Sequence, residues 1–452
     1  MLVALDCAGR LGGGSACFAL AGSLSRSPMT EAPVHPRDPI GWTAVFSATF
    51  LALCLVRLTV PTTPFFDEVH YLPAARTLLE LSHLANPEHP PLGKELIALG
   101  MAVLGDRPLG WRMVPALFGV LSLFAAMRAM WFATCSRFAT IALGVLLATG
   151  FPLFVQARIA MLDGIMAGFA LLALWMCAAA LRENETARWR LAIAGTALGC
   201  AMAAKWNALP LAIVPGLAFL AVRARSAGWR FATAWRGPPI AGMTLAEAAV
   251  WLGALPIAVY ALSYAPYAFL DEGAVPLTGL VDLHRQMLSL QEQVVQPHTY
   301  QSVWHDWVLN RRAIWYLYEP LDGAQRGVLL VGNPLTMWLG LPALAWCAWA
   351  GLVRRKWDAS AVAVLYAVSL GMWVVAAKPV QFYYHYLLPS AFLMAGLALA
   401  LDALWKRGLR WAPLLVLAGS AALFAFFWPI LTAAPLDGPD AFLRWTWLDS
   451  WR

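Results

Sequence analysis

Apolar runs long enough to cross a membrane follow one another along this chain, with short polar gaps between them. Because a helix of about 18 to 25 apolar residues crosses the hydrocarbon layer, each run predicts one span. The run at 191–204 is short, so it and the run that follows Lys205 could also form one kinked hairpin. The pattern predicts one all-α integral membrane domain over residues 41–452 with about eleven spans, at residues 42–60, 110–130, 138–156, 159–181, 191–204, 207–222, 242–266, 329–352, 359–377, 383–401 and 412–430.

Residues 1–40 form a lead-in rich in Gly, Ser and Pro. Its apolar patch, Cys17 to Leu24, is too short to span a bilayer and only weakly resembles the apolar core of a signal peptide. We expect this lead-in to be disordered, and translation could begin at Met29 instead of Met1.

Composition agrees with a membrane protein: 61% of the residues are hydrophobic and 13% are charged, whereas about a quarter of a soluble domain is charged. The net charge of +7 could indicate a nucleic-acid partner, but we see no basic patch with interleaved aromatic residues and expect no such partner. The cysteines are scattered and mostly inside apolar runs, which indicates neither a disulfide framework nor a metal site.

Arginine and lysine fall in alternate gaps between the spans, and such gaps are typically cytoplasmic. This pattern places the N-terminus inside the cell, the C-terminus outside, and the segments 61–109, 267–328 and 431–452 on the outer face of the plasma (inner) membrane. Seven of the eight histidines lie in or beside these outer segments. The basic gaps contain Arg128 and Arg137; Arg182, Arg188 and Arg190; Arg223, Arg225, Arg230 and Arg236; Arg354, Arg355 and Lys356; and Lys406, Arg407 and Arg410.

Two outer segments have the spacing of amphipathic helices. Tyr71–Leu81 and Gly93–Leu104 predict two helices lying in the membrane interface, joined by the polar run 86–91. The loop 267–328 is rich in aromatic residues and predicts a helix bedded in the headgroups, with Trp304, Trp307, Trp315, Tyr316 and Tyr318.

The adjacent acids Asp67 and Glu68 are the strongest candidates for chemistry. A carboxylate at the lipid boundary is partly desolvated, so it can be tuned to act as a general base. The alternative is an interfacial acid that ends a helix. A divalent ion could in principle bind to His70 together with Asp67, Glu68 and Glu88. The sequence has no recognised metal-binding motif, however, and we expect no bound metal.

Arg158 and Asp163 lie at the mouth of an apolar span, where an ionisable side chain needs a partner or a wet cavity. They could form a structural pair, or line one polar pocket together with Asp67. Further outer cations could anchor the interface or bind a lipid phosphate. These are His89, Lys94, Arg112, Lys205, Arg311, Arg312, Lys378 and His385.

Several of these residues fall in motifs that resemble the bacterial branch of the dolichyl-phosphate-mannose-protein mannosyltransferases, a family of the GT-C superfamily. The resemblance implies an eleven-span fold, an extracytoplasmic active site, a lipid-phosphate sugar donor and Asp67 as the catalytic carboxylate. The eukaryotic members carry a soluble domain in the large outer loop, which the short loop here cannot hold. The motifs are Phe66-Asp67-Glu68 with His70-Tyr71, the run Asn86-Pro87-Glu88-His89-Pro90-Pro91-Leu92-Gly93-Lys94, Gly110-Trp111-Arg112, Arg158 to Asp163, Lys205-Trp206, Gly332-Asn333-Pro334 and His385-Tyr386-Leu387-Leu388-Pro389.

The combined expectation is an inverting transferase that moves a hexose, mannose above all, from a polyprenyl phosphate to a Ser or Thr hydroxyl of a secreted or membrane protein. Asp67 is the expected base beside Glu68, with no cofactor. Alternatives are a transferase with a lipid or glycan acceptor, similar to the aminoarabinose transferases, and a lipid-sugar flippase, although transporters usually show internal repeats. The expected substrate-binding residues are His70, Tyr71, His89, Lys94, Arg112, Arg158, Asp163, Lys205, Arg311 and His385. Among them Arg158 is the first candidate for the contact with the donor phosphate.

Overall fold

Helices make up most of the chain in the computed structural model, which describes residues 37–293, 298–376 and 378–452. The predicted disorder of residues 1–40 falls almost entirely outside the described residues. The helices are α1 (Ile40–Leu55), α2 (Glu68–Glu80), α3 (Leu92–Leu104), α4 (Pro108–Thr134), α5 (Arg137–Thr149), α6 (Pro152–Gln156), α7 (Leu162–Arg182), α8 (Ala187–Ala204), α9 (Leu209–Ala227), α10 (Leu245–Ala249), α11 (Leu255–Leu262), α12 (Leu280–Glu292), α13 (Trp304–Val308), α14 (Pro334–Arg354), α15 (Trp357–Val375), α16 (Leu387–Lys406) and α17 (Trp411–Leu431).

Each predicted span overlaps a helix of the structure, and the chain is an integral membrane protein. Among the described residues, eight helical segments are long and apolar enough to cross a membrane. The helices α1 and α5 are apolar but shorter, with 16 and 13 residues, so the count of eleven spans stays a prediction. The eight segments are Pro108–Thr134, Leu162–Arg182, Trp206–Arg230, Leu245–Phe269, Pro334–Arg354, Trp357–Val375, Tyr383–Lys406 and Trp411–Leu431.

The short run at 191–204 forms its own helix, α8, which ends at Ala204. Lys205 is extended, and one turn of 3₁₀ helix follows before α9 begins. Small residues let α8 approach its neighbours closely: a Cβ added at Gly199 would lie 2.6 Å from the carbonyl oxygen of Pro256 in α11. The break at Lys205 therefore separates two packed helices and presents the lysine at their junction.

The two predicted amphipathic helices form at their predicted positions, as α2 and α3. The large outer loop matches the predicted helix only in part. Trp304 and Trp307 lie on the short helix α13, whereas Trp315, Tyr316 and Tyr318 lie on a strand. Strand β1 (Ile314–Leu321) pairs antiparallel with β2 (Ala324–Leu330). Aromatic residues favour strands, and Asp-Gly, here at 322–323 with positive φ at both positions, is a strong two-residue hairpin signal.

The three segments predicted to share one face do meet. Thr62 donates from its backbone and hydroxyl to the Asp322 carboxylate, at 2.9 and 2.6 Å, which ties the first outer segment to the hairpin turn. After α17 the chain folds back over the hairpin, where Trp451 is buried. The Trp315 indole donates to the carbonyl of Trp451 at 3.0 Å. These contacts place all three segments at one end of the helical bundle.

Candidate active site

Glu68 organises the loop that follows α1. Its carboxylate is fully buried and accepts hydrogen bonds from both Nε and Nη2 of Arg112, each at 2.8 Å. It also accepts the backbone N–H groups of Ala160 and Phe65 at 3.0 and 3.3 Å. Two oxygens with four donors have little capacity left for a substrate. The structure therefore gives Glu68 a structural role instead of the predicted catalytic one.

Arg112 is likewise occupied by protein groups. Besides Glu68, its guanidinium donates to the carbonyl oxygens of Leu58, Pro61 and Thr63 at 2.7–3.2 Å. The side chain is fully buried, so a lipid phosphate cannot reach it in this arrangement. Arg112 shapes the loop that carries Asp67, and its predicted role in substrate binding is corrected accordingly.

Arg158 does not pair with Asp163, so the alternative of a structural pair between these two residues is wrong. Its guanidinium donates to the carbonyls of Cys54, of Val56 at 2.7 Å and of Arg57 at 3.3 Å. These carbonyls belong to the C-terminal end of α1 and the turn after it, where backbone acceptors lack partners and a cation is favourable. Arg158 is buried there, so its predicted contact with a donor phosphate has no geometric support.

Asp163 pairs instead with Lys205, with 2.6 Å between Oδ2 and Nζ. Asp163 lies in the first turn of α7, and Lys205 lies at the α8–α9 junction. Both side chains are buried, and Asp163 Oδ1 has no hydrogen-bond partner among the described residues. The lysine Nζ also lies 4.9 Å from the ring centroid of Tyr384. The pair thus holds a cation in place beside an aromatic face.

Asp67 directs its carboxylate into the same region. It immediately precedes α2 and is half-buried, and its carboxylate accepts no hydrogen bond from the described residues. Burial raises the pKa of Asp67 to about 6, and the nearby Lys205 opposes that rise while Asp163 adds to it. Although adjacent in sequence, Asp67 and Glu68 therefore have different environments: one carboxylate is free and the other is fully paired.

Aromatic rings border this carboxylate. Phe66, which has a positive φ of 50°, stacks on Tyr316 of β1 with ring centroids 4.0 Å apart. Its ring also meets Tyr384 edge-on at 6.0 Å. The Tyr316 hydroxyl accepts from Gln156 Nε2 at 3.1 Å. Neither tyrosine was among the predicted site residues, because only the hairpin and the turn before α16 bring them here.

The run 86–94 folds around Lys94. This fully buried lysine donates to the carbonyls of Asn86 and His89 at 2.6 and 2.9 Å. Burial lowers the pKa of Lys94 to about 7, although the negative charges of Glu88 and Glu95 act to raise it. Because the Lys94 ammonium already donates to these two carbonyls, we assign it a role in shaping the loop 86–91 instead of the predicted phosphate contact.

His89, at the tip of this loop, lies beside the site, with its ring 5.9 Å from the Tyr71 ring. Burial, followed by the fields of Lys205 and Lys378, holds the pKa of His89 well below its usual range. The imidazole is therefore neutral at physiological pH and can accept or donate a hydrogen bond.

A small cavity lies next to the ion pair, lined by Asp163, Asn207, Tyr384 and His385 among others. The His385 ring stacks on Trp373 at 3.7 Å, and its Nδ1 accepts the backbone N–H of Phe382 at 3.1 Å. His385, one of the predicted residues, is thus brought to the site with a fixed ring orientation.

Two further predicted residues, His70 and Arg311, differ in their relation to the site. His70 is exposed but close enough to Asp67 to influence its pKa. Arg311 is exposed and makes no side-chain hydrogen bond or ion pair with any described residue, so nothing connects it to the cluster. Lys378, outside our predicted binding set, lies near Asp67, and burial lowers its pKa to about 8. The sequence had placed Lys378 among the outer cations that could anchor the interface or bind a lipid phosphate, and its position near Asp67 favours the second alternative.

The described residues include no group of three or more His, Cys, Asp or Glu side chains arranged to hold a metal ion. What the cluster does combine is one free carboxylate, the cations Lys205 and Lys378, a neutral His89 and the Tyr316 and Tyr384 rings. A carboxylate with a raised pKa can accept a proton, and the cations can hold an anion.

Comparison with known proteins identifies the family. Residues 88–251 match the family description "Dolichyl-phosphate-mannose-protein mannosyltransferase". Residues 276–451 match "C-terminal four TMM region of protein-O-mannosyltransferase". A polyprenol-phosphate-mannose–protein mannosyltransferase of Mycobacterium tuberculosis is 30% identical over 94% of this chain and 95% of its own length. One from Corynebacterium glutamicum is 26% identical, with 85% of each chain covered.

Solved structures share the fold at low sequence identity. The Saccharomyces cerevisiae Pmt1–Pmt2 protein O-mannosyltransferase complex, bound to the sugar donor, matches with a TM-score of 0.74 and 13% identity, over 92% of this chain and 93% of that one. ArnT of Cupriavidus metallidurans bound to undecaprenyl phosphate matches with a TM-score of 0.50 and 18% identity, over 81% and 61%. The fold is that of the GT-C glycosyltransferases, and the near full-length similarity to the mycobacterial relative establishes that the chain belongs to the protein O-mannosyltransferase family.

Proposed function

We propose that this protein transfers mannose from a polyprenyl-phosphate-mannose donor to a Ser or Thr hydroxyl of a protein. The mycobacterial and corynebacterial relatives are named polyprenol-phosphate-mannose–protein mannosyltransferases, which supports the donor and a protein acceptor. The observation that carries the proposal is the carboxylate of Asp67, which accepts no hydrogen bond from the described residues and lies beside the Asp163–Lys205 pair and near Tyr316 and Tyr384.

In the proposed reaction the acceptor oxygen attacks the anomeric carbon of mannose while Asp67 takes the hydroxyl proton. The bond between that carbon and the phosphate oxygen breaks, and its electron pair leaves with the polyprenyl phosphate. Attack opposite the leaving group inverts the anomeric centre. Because the pKa of Asp67 is about 6, the carboxylate is mostly ionised near neutral pH and is a stronger base than an ordinary aspartate.

The donor phosphodiester has one negative charge, and a cation has to compensate it in a poorly solvated site. Lys205 and Lys378 are the two lysines whose charges act on Asp67 in the site. Asp163 fixes the position of Lys205, and Lys378, with a pKa of about 8, is mostly protonated at neutral pH. These two lysines replace Arg158 as our candidates for the phosphate contact.

We place the reaction on the extracytoplasmic side of the plasma membrane, with the N-terminus cytoplasmic and the C-terminus outside. The alternate basic gaps support this orientation, and the meeting of the three outer segments at one end supports a single working face. The acceptor is then a secreted or membrane protein, and catalysis uses no cofactor or divalent metal.

The direct test is transfer by the purified protein. Polyprenyl-phosphate-mannose is supplied with a Ser/Thr-containing peptide in one reaction and with extracted lipid in another. The masses of the products are then measured by mass spectrometry. We expect one hexose on the peptide, with the same yield after addition of EDTA. Transfer to lipid alone would assign a lipid acceptor, and flipping of the donor across proteoliposomes without any transfer would make the protein a transporter.

A further inference from the structure

A folded basic loop lies at the end of the bundle remote from the candidate active site. The helix α9 begins just after Lys205 and has 19 residues, so it extends about 28 Å away from that junction. The loop 228–244 joins its far end to α10, which begins at Leu245. Whatever this loop binds is therefore separate from the Asp67 pocket.

Arg223 fixes the conformation of the loop. The side chain is fully buried, although no carboxylate pairs with it among the described residues. Its two terminal nitrogens each donate to two backbone carbonyls at 2.9–3.1 Å, those of Ala234, Arg236, Ile240 and Met243. Four such bonds from one guanidinium gather the loop into a defined surface.

The surface that results is aromatic and positively charged. Trp229 is 86% exposed and Trp235 is 53% exposed. Arg230 lies over the Trp229 ring at 5.4 Å, and Arg236 lies over the Trp235 ring at 4.8 Å. Arg225 is exposed nearby in sequence, and residues 206–246 contain no Asp or Glu. The exposed arginines therefore have no acidic neighbour within this stretch.

This surface corrects our statement that the sequence contains no basic patch with interleaved aromatic residues. Residues 225–236 are such a patch, and their place at the ends of two membrane-spanning segments indicates the partner. Indole rings favour the headgroup level of a bilayer, and guanidinium groups bind phosphate by paired hydrogen bonds. We propose that the platform formed by Arg225 and loop 228–243 is a binding site for anionic phospholipid headgroups.

A second basic turn provides a matched control. Arg354, Arg355 and Lys356 connect α14 to α15 and are exposed, and Arg354 and Lys356 also lie over tryptophan rings. That turn has no loop folded around a buried arginine. If charge at the membrane edge were sufficient, both sites would bind anionic lipid equally well.

The experiment is native mass spectrometry of the detergent-purified protein titrated with phosphatidylglycerol or phosphatidylcholine. We compare the triple variant Arg225→Gln/Arg230→Gln/Arg236→Gln with the control Arg354→Gln/Arg355→Gln/Lys356→Gln. We expect the wild type to prefer phosphatidylglycerol and the loop variant to lose affinity for it on the order of 100-fold, while the control stays close to the wild type. No preference in the wild type, or an equal loss in both variants, would overturn the proposal.

Further variants test the platform itself. Trp229→Ala/Trp235→Ala keeps the charges and should still weaken phosphatidylglycerol binding, and Arg223→Gln should do so by releasing the loop. RNA and glycerol phosphate serve as soluble anions, and either one binding as tightly as the lipid would contradict a headgroup site. Mannose transfer in neutral detergent should be unchanged in the Arg225/Arg230/Arg236 variant, so lipid binding can fail independently of the proposed catalytic function.

Discussion

Asp163 and Lys205, 42 positions apart in the chain, form a buried ion pair with 2.6 Å between Oδ2 and Nζ. The pair joins the start of α7 to the α8–α9 junction beside the free carboxylate of Asp67. It therefore combines a structural contact between helices with the placement of a cation in the candidate active site.

Removing either partner leaves an uncompensated buried charge. Asp163→Asn and Lys205→Met should each destabilise the protein by about 3–5 kcal/mol and abolish transfer. The double variant should recover much of the stability, because no lone charge remains, but no activity. Thermal unfolding in detergent, with mannose transfer measured on the same samples, checks this. A double variant as unstable as the two single variants combined would contradict the ion-pair account.

Asp67→Asn should lower turnover by about 10²–10⁴-fold and leave donor binding intact, because only the proton acceptor is lost. In the wild type, activity should rise with pH through about 6, since the carboxylate with its raised pKa must be ionised to act as a base. The matched control is Asp271→Asn, an exposed acid of the outer loop, which should behave as the wild type. Normal turnover by Asp67→Asn would remove Asp67 from the mechanism.

Arg158→Gln should lower stability and leave the donor KM of the remaining folded enzyme unchanged. The reason is that Arg158 donates to carbonyls at the end of α1 and contacts no site carboxylate. Loss of such buried hydrogen bonds costs about 1–3 kcal/mol. Steady-state kinetics with varied donor decide the matter, and Arg137→Gln, on the exposed start of α5, is the control. A raised donor KM at normal stability would return Arg158 to the phosphate site.

The helix α12 supports the loop that carries His89. Gln291 donates to the carbonyl of Glu88 at 2.8 Å, and the helix is anchored by a 2.6 Å hydrogen bond between His284 and Tyr260. Gln291→Ala should lower kcat/KM by about 5- to 10-fold, the equivalent of one modest hydrogen bond, with little change in Tm. Gln286→Ala, exposed on the same helix, should have no effect. If the two variants behave alike, α12 does not position the loop.

The orientation of the chain is testable with reporter fusions. Fusions after Arg137, Arg190, Arg236, Lys356 and Arg410 should report the cytoplasm, because these basic gaps are retained inside. A fusion after Ser302 or at the C-terminus should report the outside. A cytoplasmic signal from the loop that contains Asp67 would place the site on the opposite side of the membrane from the one we propose.

The helical architecture was largely predictable from the sequence. An apolar run of membrane length has few alternatives to a helix in a bilayer, so the positions of the long apolar helices and of the amphipathic helices α2 and α3 followed from local pattern alone. The motifs around Asp67 and His89 likewise indicated the family, because each is a continuous stretch of the chain. The hairpin at 314–330 was missed, because its aromatic residues fit a headgroup-bound helix as well as a strand.

The partners of the charged side chains were decided by tertiary structure. From sequence, Arg158 was the near neighbour of Asp163, and Glu68 was a second catalytic candidate beside the expected base Asp67. In the fold, backbone carbonyls at the end of α1 and in the turn after it accept hydrogen bonds from Arg158, and Arg112 donates to both carboxylate oxygens of Glu68. Lys205, at the α8–α9 junction, pairs with Asp163. Spans and motifs depend on composition over a short stretch of chain, which the sequence specifies by itself. Pairing of buried charges depends on which donors and acceptors meet when distant helices pack, and only the folded chain determines that.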